Sequence, residues 1–101
     1  MVASRYRHIS TVEITKGSIN ESLAHPRDIF RPVIAQSAFA FVLVHNHPSG
    51  DSSPSEADLR LTRRLTEGAR ILQINMLDHV IVGQSFDVRL GYFSFKEASM
   101  I

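Results

Sequence analysis

Residues 38–51 read AFAFVLVHNHPSGD, in which seven apolar residues (38–44) run without a break into His45-Asn46-His47-Pro48. A run of that length, rich in aromatic and β-branched side chains, predicts a central strand buried on both faces. Positions i and i+2 of a strand point the same way, with Cα atoms about 6.5 Å apart, so the two imidazoles share a face. Pro48 cannot continue the ladder, and Gly50 permits a sharp turn. Open α/β sheets bind their ligands at the C-terminal ends of strands, and this is where His45 and His47 lie.

Outward from this stretch, residues 7–15 are rich in β-branched side chains and end at Lys16-Gly17, which predicts a strand entering a turn. His25-Pro26-Arg27-Asp28 predicts a helix start, with Pro in the first turn and an acid at the positive end of the dipole. That helix would turn Ile29, Phe30, Val33 and Ile34 inward and fade near Ser37. Residues 46–54 form a loop. A longer helix runs from Ser55 to about Gln73, with Leu61, Leu65, Ala69 and Leu72 as its apolar stripe. Residues 75–82 are a strand, Gly83-Gln84 a turn, and residues 86–95 one or two further strands. The order β-α-β-α-β-β implies a layered α/β domain with a mixed sheet.

The chain has 101 residues, 44% hydrophobic and 21% charged, so it is a single globular domain by size and composition. With no cysteine, disulfide frameworks, zinc ribbons and thiol nucleophiles are excluded. Eleven Lys and Arg against ten Asp and Glu leave a net charge of +1, without the dense basic patch of a general nucleic-acid binder. No stretch approaches the roughly 18 apolar residues of a membrane span, and the N-terminus lacks a signal-like apolar run. A cytoplasmic location is the resulting expectation.

Asp58, eleven residues after His47, opens the second helix and offers a third ligand beside the histidine pair. Two His and one carboxylate with a position left open is the pattern of a catalytic zinc site rather than a closed structural one. Ser55, one turn earlier, is placed to donate to an oxyanion. Ser55-x-x-Asp58 is equally a helix cap, and the two roles are compatible. Asp51 is an alternative ligand. His79, beside Asp78, is a candidate to support the metal from behind, or else a satisfied histidine in a half-buried strand. His25 precedes a helix-starting Pro, and Phe86, Tyr92, Phe93 and Phe95 read as core. Zinc deaminases require a Pro-Cys-x-x-Cys that is absent here.

His45-x-His47-Pro48 followed by Ser55-x-x-Asp58 resembles the JAMM motif of the MPN-domain metalloproteases. More closely, His45-Asn46-His47-Pro48-Ser49-Gly50-Asp51 with Pro54-Ser55-x-x-Asp58 resembles the RadC family of bacteria. So do Gly17-Ser18-Ile19-Asn20, His25-Pro26-Arg27, the block from Leu77-Asp78-His79 through Val80-Ile81-Val82-Gly83, and Ser94-Phe95 with Glu97. The resemblance implies a JAMM/MPN, cytidine-deaminase-like α/β/α layered domain with a mixed sheet. It makes His45, His47 and Asp58 zinc ligands and Ser55 the oxyanion helper. The implied reaction is hydrolysis of a peptide or isopeptide bond in a peptide or protein substrate. The family carries a DNA-repair label, which implies DNA or a repair partner without fixing either. JAMM enzymes also use a Glu from an earlier strand as general acid/base. In RadC-like chains that strand lies some fifty residues before the His pair, and this sequence begins after it. Glu13, 32 residues before His45, matches a different strand. The resemblance therefore implies a chain that holds zinc and hydrolyses weakly, or a metal-, DNA- or partner-binding module. An unpaired sheet edge left by the earlier strand would favour a homo-oligomer.

Overall fold

A computed structural model of the chain describes residues 25–47, 49–83 and 91–101 with their side chains, and residues 2–5 and 8–11 as paired strands. Strands β1 (Val2–Arg5), β2 (His8–Thr11), β3 (Ala40–Asn46), β4 (Asn75–Val82) and β5 (Tyr92–Ser94) join helices α1 (Pro26–Ala35) and α2 (Glu56–Leu72). The strands form one mixed sheet in the order β2-β1-β3-β4-β5, in which, among the described strands, only β3 and β4 are parallel. This is the mixed α/β architecture expected, with one difference at the start. β2 occupies part of the predicted strand over 7–15, and β1 precedes it as the other arm of an antiparallel hairpin. The rest of that prediction, with Lys16-Gly17 and Glu13, lies outside the described residues, as do Gln84 and Phe86. β3 is paired on both sides, and among the described strands β2 and β5 lie at the two edges. Among the described residues no helix is long and apolar enough to cross a membrane.

Both helices pack on one face of the sheet. α1 begins at Pro26, whose fixed φ suits the first turn, and presents Ile29, Phe30 and Val33 inward. α2 contributes Leu61, Leu65 and Ala69, and the sheet answers with Phe41, Leu43 and Met76. Phe30 and Phe41 meet edge to face, with centroids 5.6 Å apart. The expectation that residues 38–44 are buried on both faces is corrected here. Phe41 and Leu43 are buried, whereas Phe39 is 58% and Val44 38% exposed. The apolar run exceeded what one helical layer covers, since the described helices leave the opposite face uncovered. Ile34 and Leu72 are also exposed rather than inward, because each falls at the fading end of its helix.

A register shift in the β3–β4 pair has a direct consequence for the site. Phe41 pairs with Met76 but Val42 with Asp78, so Leu77 is an extra residue in β4. The bulge moves the strand's alternation by one position. After Met76, it is His79 and Ile81 that are buried under the helices, while Asp78 and Val80 are only half-buried.

Candidate metal centre

His45 is the last buried residue of β3, and His47 sits just past the strand, its N–H held by the Val82 carbonyl at 3.0 Å. Their rings are 5.2 Å apart, His45 buried and His47 half-buried. The following loop turns back at once: Gly50 N–H donates to the His47 carbonyl, with Gly50 at φ 84°, where a side chain would be strained. The turn brings the Asp51 carbonyl to 2.9 Å from His47 Nδ1. A carbonyl can only accept, so Nδ1 donates to it, and the ring is turned so that Nε2 faces Asp58.

The loop is wedged against the end of β4. A Cβ built on Gly83 would collide with the Gly50 carbonyl oxygen and lie 2.9 Å from Ser52 N. Both are backbone atoms that cannot swing aside as a side-chain end would. Gly83→Ala is therefore expected to displace the loop, at a cost of about 1–3 kcal/mol. Since that loop orients His47, metal affinity should fall about tenfold or more. Thermal denaturation and chelator competition measure the two effects, and a variant unchanged in both would show that the loop is not held by this contact.

Asp58 enters from α2 through a capping box. Ser55, the N-cap, accepts the Asp58 N–H on Oγ at 3.1 Å, and Asp58 Oδ2 accepts the Ser55 N–H at 2.7 Å. The cap thus also aims the carboxylate. Oδ2 lies 3.1 Å from His47 Nε2, and Oδ1 lies 3.2 Å from His45 Nε2. One donor atom from each of His45, His47 and Asp58 falls within 4.8 Å of the others. The three residues singled out by spacing are therefore brought together. Ser55 is beside them, exposed, with its oxygen engaged at the cap. Asp51 does not join the cluster: its carbonyl orients His47 and its carboxylate accepts the Ser53 N–H. His25 is the exposed N-cap of α1 and takes no part.

Burial alone would raise the Asp58 carboxyl pKa. Contact with His45 and hydrogen bonds with the backbone and side chain of Ser55 outweigh it and hold the group well below the usual carboxylate range. An anionic carboxylate thus faces the Nε2 atoms of two imidazoles. His45 Nε2 is buried and, despite its 3.2 Å approach to Asp58, has no hydrogen-bond partner. Orphaned buried polar atoms are rare in folded proteins. A divalent cation placed among these atoms would satisfy all three donors at once, so the residues present fit a metal ion. Two nitrogens and a carboxylate suit a borderline transition metal.

Behind His45 stands His79, fully buried, with Nε2 3.0 Å from His45 Nδ1 and its ring stacked on Phe95 at 4.6 Å. Burial, and next the neighbouring His45, push its pKa down to about 3, so the ring is neutral at pH 7. His79 Nδ1 lies 2.6 Å from Thr62 Oγ1. His79 therefore lies beside the cluster in contact with His45, and Thr62 is a partner that sequence reading missed. Its signal was present in the helical spacing, because Thr62 lies one turn after Asp58 on the same face of α2. Asp78 faces away from the cluster. It accepts the N–H groups of His79 and Lys96 and the Ser94 hydroxyl, tying β4 to the segment that presses Phe95 on His79.

Residues 1–100 match the RadC-like JAB domain. Among curated proteins, the chain is 46% identical over 90 residues to a UPF0758 protein of Trichlorobacter lovleyi, covering 89% of this chain and 37% of that protein. It is 45% identical over 101 residues to a UPF0758 protein of Geobacter sulfurreducens, covering all of this chain and 42% of the relative. A UPF0758 protein of Alkaliphilus metalliredigens is 44% identical over 101 residues, again across the whole chain and 41% of the relative. The chain spans about two fifths of the length of the curated relatives it matches. With its fold, its His-His-Asp cluster and this match over nearly every residue, the chain belongs to the RadC-like JAB domain family.

Proposed function

We propose that the chain is the metal-binding domain of a JAMM-type zinc hydrolase acting on a peptide or isopeptide bond. The observation that carries this reading is the buried, unpartnered His45 Nε2 facing His47 and an ionised Asp58 within one ligand-sized cluster. His45 Nε2, His47 Nε2 and the Asp58 carboxylate would hold the ion. Bound there, zinc supplies Lewis-acid polarisation and a nucleophile at neutral pH. The chain's own residues supply position. The Asp51 carbonyl turns His47 toward the ion, the capping box aims Asp58, and Ser55 at the rim is placed to donate to the substrate's developing oxyanion. Half-buried His47 marks the accessible side, from which a substrate would approach.

A second reading has its own observation. Among the described residues no further Asp or Glu joins the cluster to serve as general acid/base. Loss of such a group typically lowers the rate by about 10²–10⁴. In this second reading the chain binds metal, and a protein partner or DNA, without turning over substrate. The experiment is cleavage of isopeptide-linked and linear fluorogenic peptides by the zinc-loaded chain, with the double variant His45→Ala/His47→Ala as control. Zinc-dependent cleavage lost in the double variant supports the hydrolase. Absent cleavage, together with salt-dependent DNA binding that survives the double substitution, overturns it in favour of the binding module.

A further inference from the structure

We propose that the cavity between α2 and the turn after β5 is a binding site for a small aliphatic or aromatic monocarboxylate. The cavity has a volume of about 300 Å³ and is lined by Leu59, Thr62 and Arg63 of α2 and by Phe95 and Met100. Small-ligand pockets run from about 300 to 1,000 Å³, so this one has room for a single ring or a short chain. None of the metal-cluster residues lines it, so the inference goes beyond the metal reading and does not depend on it.

The walls are held before any ligand arrives. Leu59, Thr62 and Arg63 fall on one side of α2, at i, i+3 and i+4. The other wall is a turn closed by hydrogen bonds from the Ala98 N–H to the Ser94 carbonyl at 3.1 Å and from the Met100 N–H to the Phe95 carbonyl at 2.8 Å. Phe95 is fully buried and fixed by its stack on His79, whereas Met100 is 51% exposed, an unbranched side chain that adjusts to what enters. Leu59, Phe95 and Met100 offer no polar side-chain hydrogen, and the Thr62 hydroxyl already donates to the Asp58 carbonyl at 2.8 Å. Water in such a space lacks the roughly two to four partners it needs, so an apolar group gains by replacing it. The charge comes from Arg63. It is exposed, it is the only charged lining residue, and among the described residues it forms no ion pair. A guanidinium presents two parallel N–H groups to a carboxylate, and one cation balances one negative charge. A phosphate dianion would leave a charge uncompensated beside an apolar wall.

The test is a titration of the full wild-type chain with 3-phenylpropionate, followed through the Met100 methyl and Phe95 ring signals in ¹H–¹³C spectra. Saturable shifts at both residues are expected, with a Kd of about 1–5 mM, the affinity that ordinary ligand efficiency gives a molecule of about eleven heavy atoms. 3-Phenylpropanol, which keeps the ring and lacks the charge, should bind about 3–5-fold more weakly. Arg63→Gln, a change to an exposed side chain that the fold tolerates, should weaken the acid by the same factor and leave the alcohol unchanged. Leu59→Trp, which fills the cavity, should remove the shifts. No saturation at either residue, or equal binding of acid and alcohol, would overturn the site. Binding indifferent to Arg63→Gln, as coordination at the metal centre would be, would also overturn it. Tighter binding of glycylglycylphenylalanine than of 3-phenylpropionate would overturn the small-molecule occupant in favour of a peptide C-terminus.

Discussion

Asp58→Asn should abolish stoichiometric zinc binding while leaving the domain folded. Asp58 is 2% exposed and is the anionic member of the cluster. Removing one partner from a buried charged contact costs about 3–5 kcal/mol, which corresponds to about 10²–10⁴-fold in Kd. The fold should tolerate the change, because the amide oxygen can still accept the Ser55 N–H that Oδ2 now accepts at 2.7 Å. The amide N–H also offers a donor to the orphaned His45 Nε2. Stability should fall by about 1–3 kcal/mol, because the cap hydrogen bond is kept while the contacts that favour the ionised carboxylate are lost. Chelator competition and a thermal melt on the same samples separate the two effects. Wild-type affinity in the folded variant would show that the carboxylate is not a ligand.

The largest effect on stability should come from Phe41→Ala. Phe41 is 1% exposed, sits at the centre of the sheet and meets Phe30 edge to face. Truncating a buried Phe typically costs about 3–5 kcal/mol, a large part of the roughly 5–15 kcal/mol that holds a domain together. For a domain of this size each kcal/mol lowers Tm by about 4–8 °C, so the melt should fall by well over 10 °C. The companion substitution Val44→Ala, three residues on, should cost under about 1 kcal/mol, because Val44 is 38% exposed on the face that the described helices leave open. Equal losses for the two would mean that the sheet is covered on both sides.

That contrast marks where the sequence was legible. His45-x-His47, the turn at Gly50 and Ser55-x-x-Asp58 are local patterns whose chemistry is carried by spacing alone, and the structure brings all three ligand candidates together. Helices α1 and α2 and strand β4 were readable for the same reason, through capping signals and periodicity. What failed to show was non-local. β1 is four residues long and exists through pairing with β2 and β3, which no local pattern announces. The one-sided cover of β3 depends on where both helices pack. Leu77 as an extra residue in β4 is defined only against its neighbour, yet it decides that His79 faces the site. Thr62 and Gly83 likewise acquire their roles from partners that are distant in the chain.

The most direct measurement is the zinc content of the folded wild-type chain at neutral pH, by elemental analysis after equilibration with limiting zinc and removal of the excess. One zinc per chain is expected, falling to none in Asp58→Asn at the same concentration. A chain that is folded by its thermal transition and retains no zinc would contradict the assignment of His45, His47 and Asp58 as a zinc centre.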